Sequence, residues 1–385
     1  MTVEAKKKLN VPITKPALTE EEARAPFESI KSGWVTQGPK VAEFEKAVST
    51  YVGAKHGVAT TYCTTGLHLA LATAGVGPGD EVIVPSFTFI ASANAILYTG
   101  ATVVFCEIDP RTFNADPADV EKRITKRTKA IMPVDQIGLA CDIAPINDIA
   151  KQHGLDVVED AAPTIGGSYK GRRVGSNAHQ TVFSFHPRKV ITTGEGGMIT
   201  TDDDAFADKA RKLRAHAMSV SDLDRHKADR PIIEEYHELG FNYRMTDIQA
   251  SIGLVQIRRL DELLRIRVTK AARYNDELAD IKKLRTPYTP PYATHTYQSY
   301  CLDLDPSVDR DDLMARLLRR GIATRRGVMA SHLEKVYLDR VGRVSLPITE
   351  AKARTTMLIP LFATMTDEEQ TYVIDALHEE LTAAR

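Results

Sequence analysis

Two apolar runs in this chain end in groups that can do chemistry together. The first, Leu155 to Val158, is mostly apolar and runs into two carboxylates, Glu159 and Asp160. It reads as a buried parallel strand with an acid at its carboxyl end. The second, Thr181 to Phe185, leads into His186-Pro187-Arg188-Lys189, and a glycine-rich turn follows at Gly194-Glu195-Gly196-Gly197. In open α/β sheets ligands sit beyond the carboxyl ends of the strands, so Asp160 and Lys189 are expected to face one pocket. An amine and a carboxylate so placed suit pyridoxal phosphate, the amine forming the Schiff base and the carboxylate keeping the pyridine nitrogen protonated. On spacing alone, a solvated ion pair is the more usual outcome.

The longer strings decide between these. EDAA, SYKGRRVGS, FSFHPRK and TTGEGGMITTDD follow one another from Glu159 to Asp203. In this order and spacing they resemble the DegT/DnrJ/EryC1/ArnB family of sugar aminotransferases, and the resemblance extends over most of the chain. It implies a fold-type I α/β enzyme, with a large domain built on a mostly parallel sheet flanked by helices and a smaller C-terminal α/β domain. It further implies Lys189 as the Schiff-base lysine, Asp160 as the partner of the pyridinium, and Ser184 as a phosphate ligand. A minority branch of the family has histidine in place of the lysine and dehydrates its substrate, so Lys189 points to amination. Gly240 to Ala250, GFNYRMTDIQA, is a second family string; it implies that Asn242 reaches the cofactor phosphate of the other subunit of a homodimer. Two departures stand out: Asp135 replaces a histidine common in relatives, and Pro163 replaces a polar residue that can contact the cofactor's phenolic oxygen. Asp135 is therefore given no catalytic role.

The elements that must position these groups alternate between helix and strand. Thr19 caps a helix to about Ser32, with acids in its first turn, and Val41 to Val52 has helical spacing. Between them the turn-rich loop SGWVTQGP carries Trp34 and Thr36, which the resemblance places near the substrate; a packed loop is the plain alternative. Thr64 and Thr65 precede the apolar helix beginning at Leu67. They fit either capping or a phosphate held by free N–H groups and the helix dipole, and the family's phosphate loop favours the second. The segment PSFTFIAS also resembles the family, which implies that Phe89 stacks on the pyridine ring; an ordinary core aromatic is the plain alternative. Strands are expected at Glu81 to Val84, Thr102 to Phe105, Ala130 to Pro133 and Met198 to Thr201, and helices at Asp116 to Ile124, Ile143 to Gly154, Ala205 to Arg214 and Thr246 to Leu278. Arg325, Arg326 and His332 lie in a segment that resembles one at the mouth of the site in relatives, where arginines can hold a phosphate or carboxylate through paired bonds; plain surface charges are the equal alternative.

Composition bounds the rest. The 385 residues divide into an arm (1–16), a large cofactor-binding domain (17–259) and a small domain (260–385), with 217–232 read as a polar excursion. Charge is balanced, at a formal −1, which gives no electrostatic case for nucleic acid. No apolar run approaches the roughly 20 residues that span a bilayer, and the stretch MTVEAKKKLNVPITKP, basic but with no apolar segment after it, is not expected to act as a secretory signal. Four cysteines without paired spacing suit a reducing cytoplasm. The histidines, His179, His186, His216, His226 and His237 among them, lack metal-site spacing, so no metal is expected. The glycines at 194 to 197 do not form a nucleotide P-loop. The expected reaction moves an amino group from glutamate or glutamine to a keto-sugar, most plausibly nucleotide-linked, with pyridoxamine phosphate as the half-reaction form. A cyclitol ketone acceptor, elimination chemistry and a non-catalytic regulator are the alternatives.

Overall fold

The computed structural model describes residues 8–220, 229, 231 and 233–382. Seven strands form the main sheet: β1 (His56–Thr60), β2 (Glu81–Pro85), β3 (Thr102–Cys106), β4 (Thr128–Ile131), β5 (Asp156–Asp160), β6 (Gln180–Ser184) and β7 (Gly197–Thr201). Their order is β1-β7-β6-β5-β4-β2-β3. Only β7 runs against the rest, pairing antiparallel with both β1 and β6. The pairs β3-β2-β4-β5-β6 are all parallel.

Both faces of this sheet are covered, which explains why β2 and β6 are buried at every residue and lack the alternation of a half-exposed strand. Side chains still alternate across it. Val157, Phe183 and Met198 join a core with Val48 and Phe44 of α2 (Pro39–Val52) on one face. Val158, Val182 and Ile199 meet Leu67 and Leu71 of α3 (Cys63–Thr73) and Ile96 of α4 (Ala91–Tyr98) on the other. Asp160 shares the α3 and α4 face with Val158, and Glu159 the opposite face with Val157.

Capping residues read from sequence behave as expected. Thr19 and Glu22 form a reciprocal capping box at the start of α1 (Glu20–Ser32), which accommodates Pro26. Thr246 and Gln249 do the same for the long helix α7 (Asp247–Glu277), which follows α5 (Ile143–His153) and α6 (Asp204–Arg214). Expected as an exposed helix, α6 instead buries Phe206, Ala207, Ala210 and Leu213 along one side. Less visible in sequence is the buried Asp247. Its carboxylate accepts from the backbone N–H groups of Gly38, Lys40 and Val41 at 2.8–3.0 Å, and its own N–H donates to the Thr36 carbonyl. It supplies the acidic cap that Gly38, at the start of α2, has no side chain to provide.

A second sheet is antiparallel, ordered β8 (Leu284–Arg285), β9 (Tyr300–Leu304), β11 (Thr356–Ile359) and β10 (Arg325–Arg326). Leu313 and Leu317 of α8 (Arg310–Arg319) and Val373 and Leu377 of α9 (Asp367–Thr382) pack on it. The expected boundary at residue 260 falls within α7. Leu260 and Leu263 of that helix belong to the large core, whereas Ala271 and Tyr274 belong to the small one.

The reading of residues 1–16 as an arm needs correction for its described part. Val11 is fully buried and bridges Ile322 in parallel, its N–H donating to Gly321 and its carbonyl accepting from Ala323 at 2.9 Å each. Extended backbone and one buried valine dock this segment, a pattern too short for periodicity to reveal. Most of the expected excursion at 217–232, with His226, lies outside the described residues. Among the described residues no helix is long and apolar enough to cross a membrane.

Candidate active site

β5 and β6 are parallel neighbours, and their carboxyl ends open into a cavity of about 410 Å³, within the range of small-molecule sites. Asp160 and Lys189 both line it. The Asp160 carboxylate accepts from Ser92 Oγ at 2.7 Å and from the Ala162 N–H at 3.1 Å. Burial pushes its pKa upward, while Ser92, the Ala162 amide and Lys189 pull it back. Among the described residues no cation forms an ion pair with it. Burial moves Lys189 the other way, below the ordinary lysine range, with Asp160 opposing and Arg188 reinforcing the shift. Both effects favour neutral forms in the bare cavity. An amine so depressed holds more of its unprotonated form near neutral pH, the form that acts as nucleophile and base.

Of the other residues expected from sequence, Thr64, Phe89, Ser184 and Arg325 also line this cavity. The Phe89 ring is 57% exposed, an apolar surface left open at the cavity. Thr65 does not line it: its hydroxyl accepts from the Tyr62 N–H and donates to the Tyr62 carbonyl, closing the first turn of α3. Capping is its role here. Trp34 and Thr36 lie outside the cavity, on the loop pinned by Asp247. Asn242 is exposed and bridges Ala215, also away from this chain's cavity.

The expectation for the 325–333 segment divides. Consecutive residues of a strand point to opposite sides, so Arg325 lines the cavity whereas Arg326 turns away and lies 3.7 Å from Glu334. His332 is not at the mouth. It is fully buried, with Nδ1 2.6 Å from Ser86 Oγ and Nε2 3.5 Å from Glu350. Ser331 donates from its N–H to Ser86 and from its hydroxyl to the Thr88 carbonyl. These two residues bolt down the backbone that presents Phe89.

Sequence reasoning missed Ser92, Arg188 and Thr14. Ser92 stands three residues after Phe89, on the first turn of α4, so both lie at one end of that helix. Nothing in the sequence flags Thr14. The glycines after Lys189 allow close passage. A Cβ on Gly197 would lie 2.5 Å from the Tyr62 carbonyl oxygen, and Gly194 sits at φ +82° in the turn itself.

The opposite face of β5 holds a different arrangement. Glu159 and Asp135 are buried, and with Cys141 they offer ligand atoms within 4.8 Å of one another, the one such group among the described residues. Glu159 accepts from Thr181 Oγ1 at 2.7 Å, and Asp135 Oδ1 from the Cys141 N–H at 2.8 Å. Asp135 Oδ2 has no partner. Burial pushes both carboxyls upward, with Glu159 adding to the shift of Asp135 and Asp160 to that of Glu159. The no-metal expectation rested on histidine spacing and did not consider this group.

The cavity fits pyridoxal phosphate on its own features. It offers a buried, hydrogen-bonded carboxylate without a cation, a desolvated amine, an open aromatic face, and the start of α3, to which Tyr62 gives no side-chain cap. Residues 16–378 match the DegT/DnrJ/EryC1/StrS aminotransferase family, and the chain belongs to it. It is similar to GDP-perosamine synthase of Caulobacter vibrioides, with 41% identity covering 96% of this chain and 98% of that protein. It is also similar to the spore coat polysaccharide biosynthesis protein SpsC of Bacillus subtilis, with 38% identity covering 97% and 98%. In structure it matches the aminotransferase TlmJ of Streptoalloteichus hindustanus with a TM-score of 0.90 and 34% identity, covering 97% of this chain and 99% of that one. The protein is thus a pyridoxal-phosphate-dependent aminotransferase of the fold that its sequence implies.

Proposed function

We propose that the protein transfers an amino group from glutamate or glutamine to a nucleotide-linked keto-sugar. The observation that carries the chemistry is the convergence of Lys189 and Asp160 from adjacent strands, with Ser92 and the Ala162 amide orienting the carboxylate. The sugar class rests on GDP-perosamine synthase and SpsC, both similar along their whole length. When bound, pyridoxal phosphate supplies an electron sink and carries the amino group between the two substrates.

The residues divide that work. Asp160 provides the negative charge that keeps the ring nitrogen protonated, and Phe89 covers the ring. Thr64, Ser184 and the free N–H groups at the start of α3 hold the phosphate. Lys189 Nζ takes the α-proton from the donor and returns a proton to the carbon being aminated. General acid–base transfer of this kind contributes about 10² to 10⁴ in rate. Asn242 completes the phosphate site of a second copy. Its exposure away from its own cavity supports that reading, as do the exposed apolar side chains of Phe27, Ile30 and Val35.

The test is an absorption spectrum of the purified protein, before and after glutamate, repeated with Lys189→Ala. A visible band that glutamate bleaches, absent from the variant, is expected; keto-sugar nucleotides should then restore it. A protein that stays colourless with added cofactor would sink the assignment. A band indifferent to every amino acid would favour elimination chemistry instead.

A further inference from the structure

Arg188 and Arg325 come from different sheets. Arg188 immediately precedes Lys189 and follows β6 of the main sheet, while Arg325 opens β10 of the small sheet. Both line the same cavity. Gln298 Nε2 donates to the Arg188 carbonyl at 2.6 Å, which fixes the backbone there, and Arg325 is held in register opposite Leu358 of β11. Among the described residues neither guanidinium forms an ion pair with a carboxylate. The acids that line the cavity are Asp160, at its floor, and Glu195, which lies 4.0 Å from His186. Thr14 also lines the cavity, and its buried hydroxyl has no hydrogen-bond partner.

Two guanidinium groups brought together without an acid repel one another, and the effect registers on Arg188, whose pKa is lowered by burial and then by Arg325. A buried hydroxyl left unpaired also costs free energy. One class of ligand relieves both: an oxyanion, which accepts from both guanidinia and from a hydroxyl. We propose that Arg188 and Arg325, with Thr14, form an oxyanion subsite at the rim of the cavity that binds a carboxylate or phosphate group of a substrate. The subsite rests on the aminotransferase reading for its purpose and on the rim residues alone for its existence. It joins the two sheets through the ligand.

Two substrate sources share this chemistry. The donor contributes carboxylates and a nucleotide-linked acceptor contributes phosphates. Calorimetric titration of the holoenzyme with glutarate and, separately, with a nucleoside diphosphate (UDP, then GDP) distinguishes them. The variants are Arg188→Gln, Arg325→Gln and Thr14→Val, with Arg326→Gln as the control that shares Arg325's strand and faces away. Each arginine variant should weaken the bound anion about 10-fold to 100-fold, as expected for charge-assisted bonds. Thr14→Val should weaken it less, and Arg326→Gln should leave it unchanged. Loss confined to glutarate assigns the subsite to the donor, and loss confined to the diphosphates assigns it to the acceptor. Equal binding of both anions by wild-type and arginine variants, or equal weakening by Arg326→Gln, overturns the proposal. A coloured holoenzyme whose anion affinities ignore Arg188 and Arg325 would refute the subsite and leave the aminotransferase reading intact. A protein without the Lys189 band whose anion binding still needs both arginines would do the reverse.

Discussion

Glu159 and Asp160 are neighbours on one strand, both acidic and both buried, yet their surroundings give them different chemistry. Asp160 faces α4, where Ser92 and a backbone amide donate to it, and its cavity is open to a cation. Glu159 faces the other core, opposite a second carboxyl, Asp135, with no cation paired to either among the described residues. Two unpaired carboxylates in such a place cannot both ionise cheaply, so this pair retains a proton where Asp160 awaits a charge. Surroundings, and not residue type, separate a group that polarises a ligand from one that stores a proton.

The comparison can be broken at either face. Lys189→Ala should have the largest effect, abolishing the visible band and reducing turnover by at least the 10² to 10⁴ ascribed to proton transfer. Asp160→Ala leaves the bound ring nitrogen without its counter-charge. A loss of about 3 kcal/mol is expected, on the order of 10²-fold in cofactor affinity, measured by cofactor titration. Ser92→Ala removes one charge-assisted bond and should weaken cofactor binding by roughly 10-fold. At the other face, Asp135→Asn should leave cofactor affinity unchanged and raise stability at pH 8 by about 1 kcal/mol. The asparagine oxygen can still accept from the Cys141 N–H, and its amide puts a donor where Oδ2 has no partner.

That last variant also tests the sign of a pH dependence. Both carboxyls of the pair hold their protons more tightly in the folded chain than in the unfolded one, where they titrate near pH 4. The stabilising contribution is therefore complete below that range and declines as the pH rises until the folded pair ionises. Denaturant midpoints of the wild type should fall across this window, and those of Asp135→Asn should fall less. A parallel pH dependence for the two proteins would show that the pair holds no proton.

Much of this was legible in the sequence because it is local. Thr19, Asp116, Thr246 and Asp309 cap helices within three residues of themselves, and the buried runs that end at Asp160 and Phe185 mark adjacent strands. The losses share a cause. Ser92 meets Asp160 and Ser86 meets His332 across long stretches of chain, and no pattern within a window reports such pairs. Arg325 and Arg326 looked equivalent until the strand's register sent one inward and the other outward. Asp247 sits in the first turn of its own helix, and nothing local shows that its carboxylate caps a helix about two hundred residues earlier.

The docked segment at Val11 to Thr14 has a consequence for biosynthesis. It is among the first parts of the described chain to leave the ribosome, yet its hydrogen-bond partners, Gly321, Ala323 and Leu361, are among the last. One wall of the cavity therefore waits, unpaired, until residue 361 has been made. A product terminated before residue 361 carries Lys189 and Asp160 but lacks a closed site. Closure of the site thus depends on a contact between residues 13 and 361 that no shorter fragment can make.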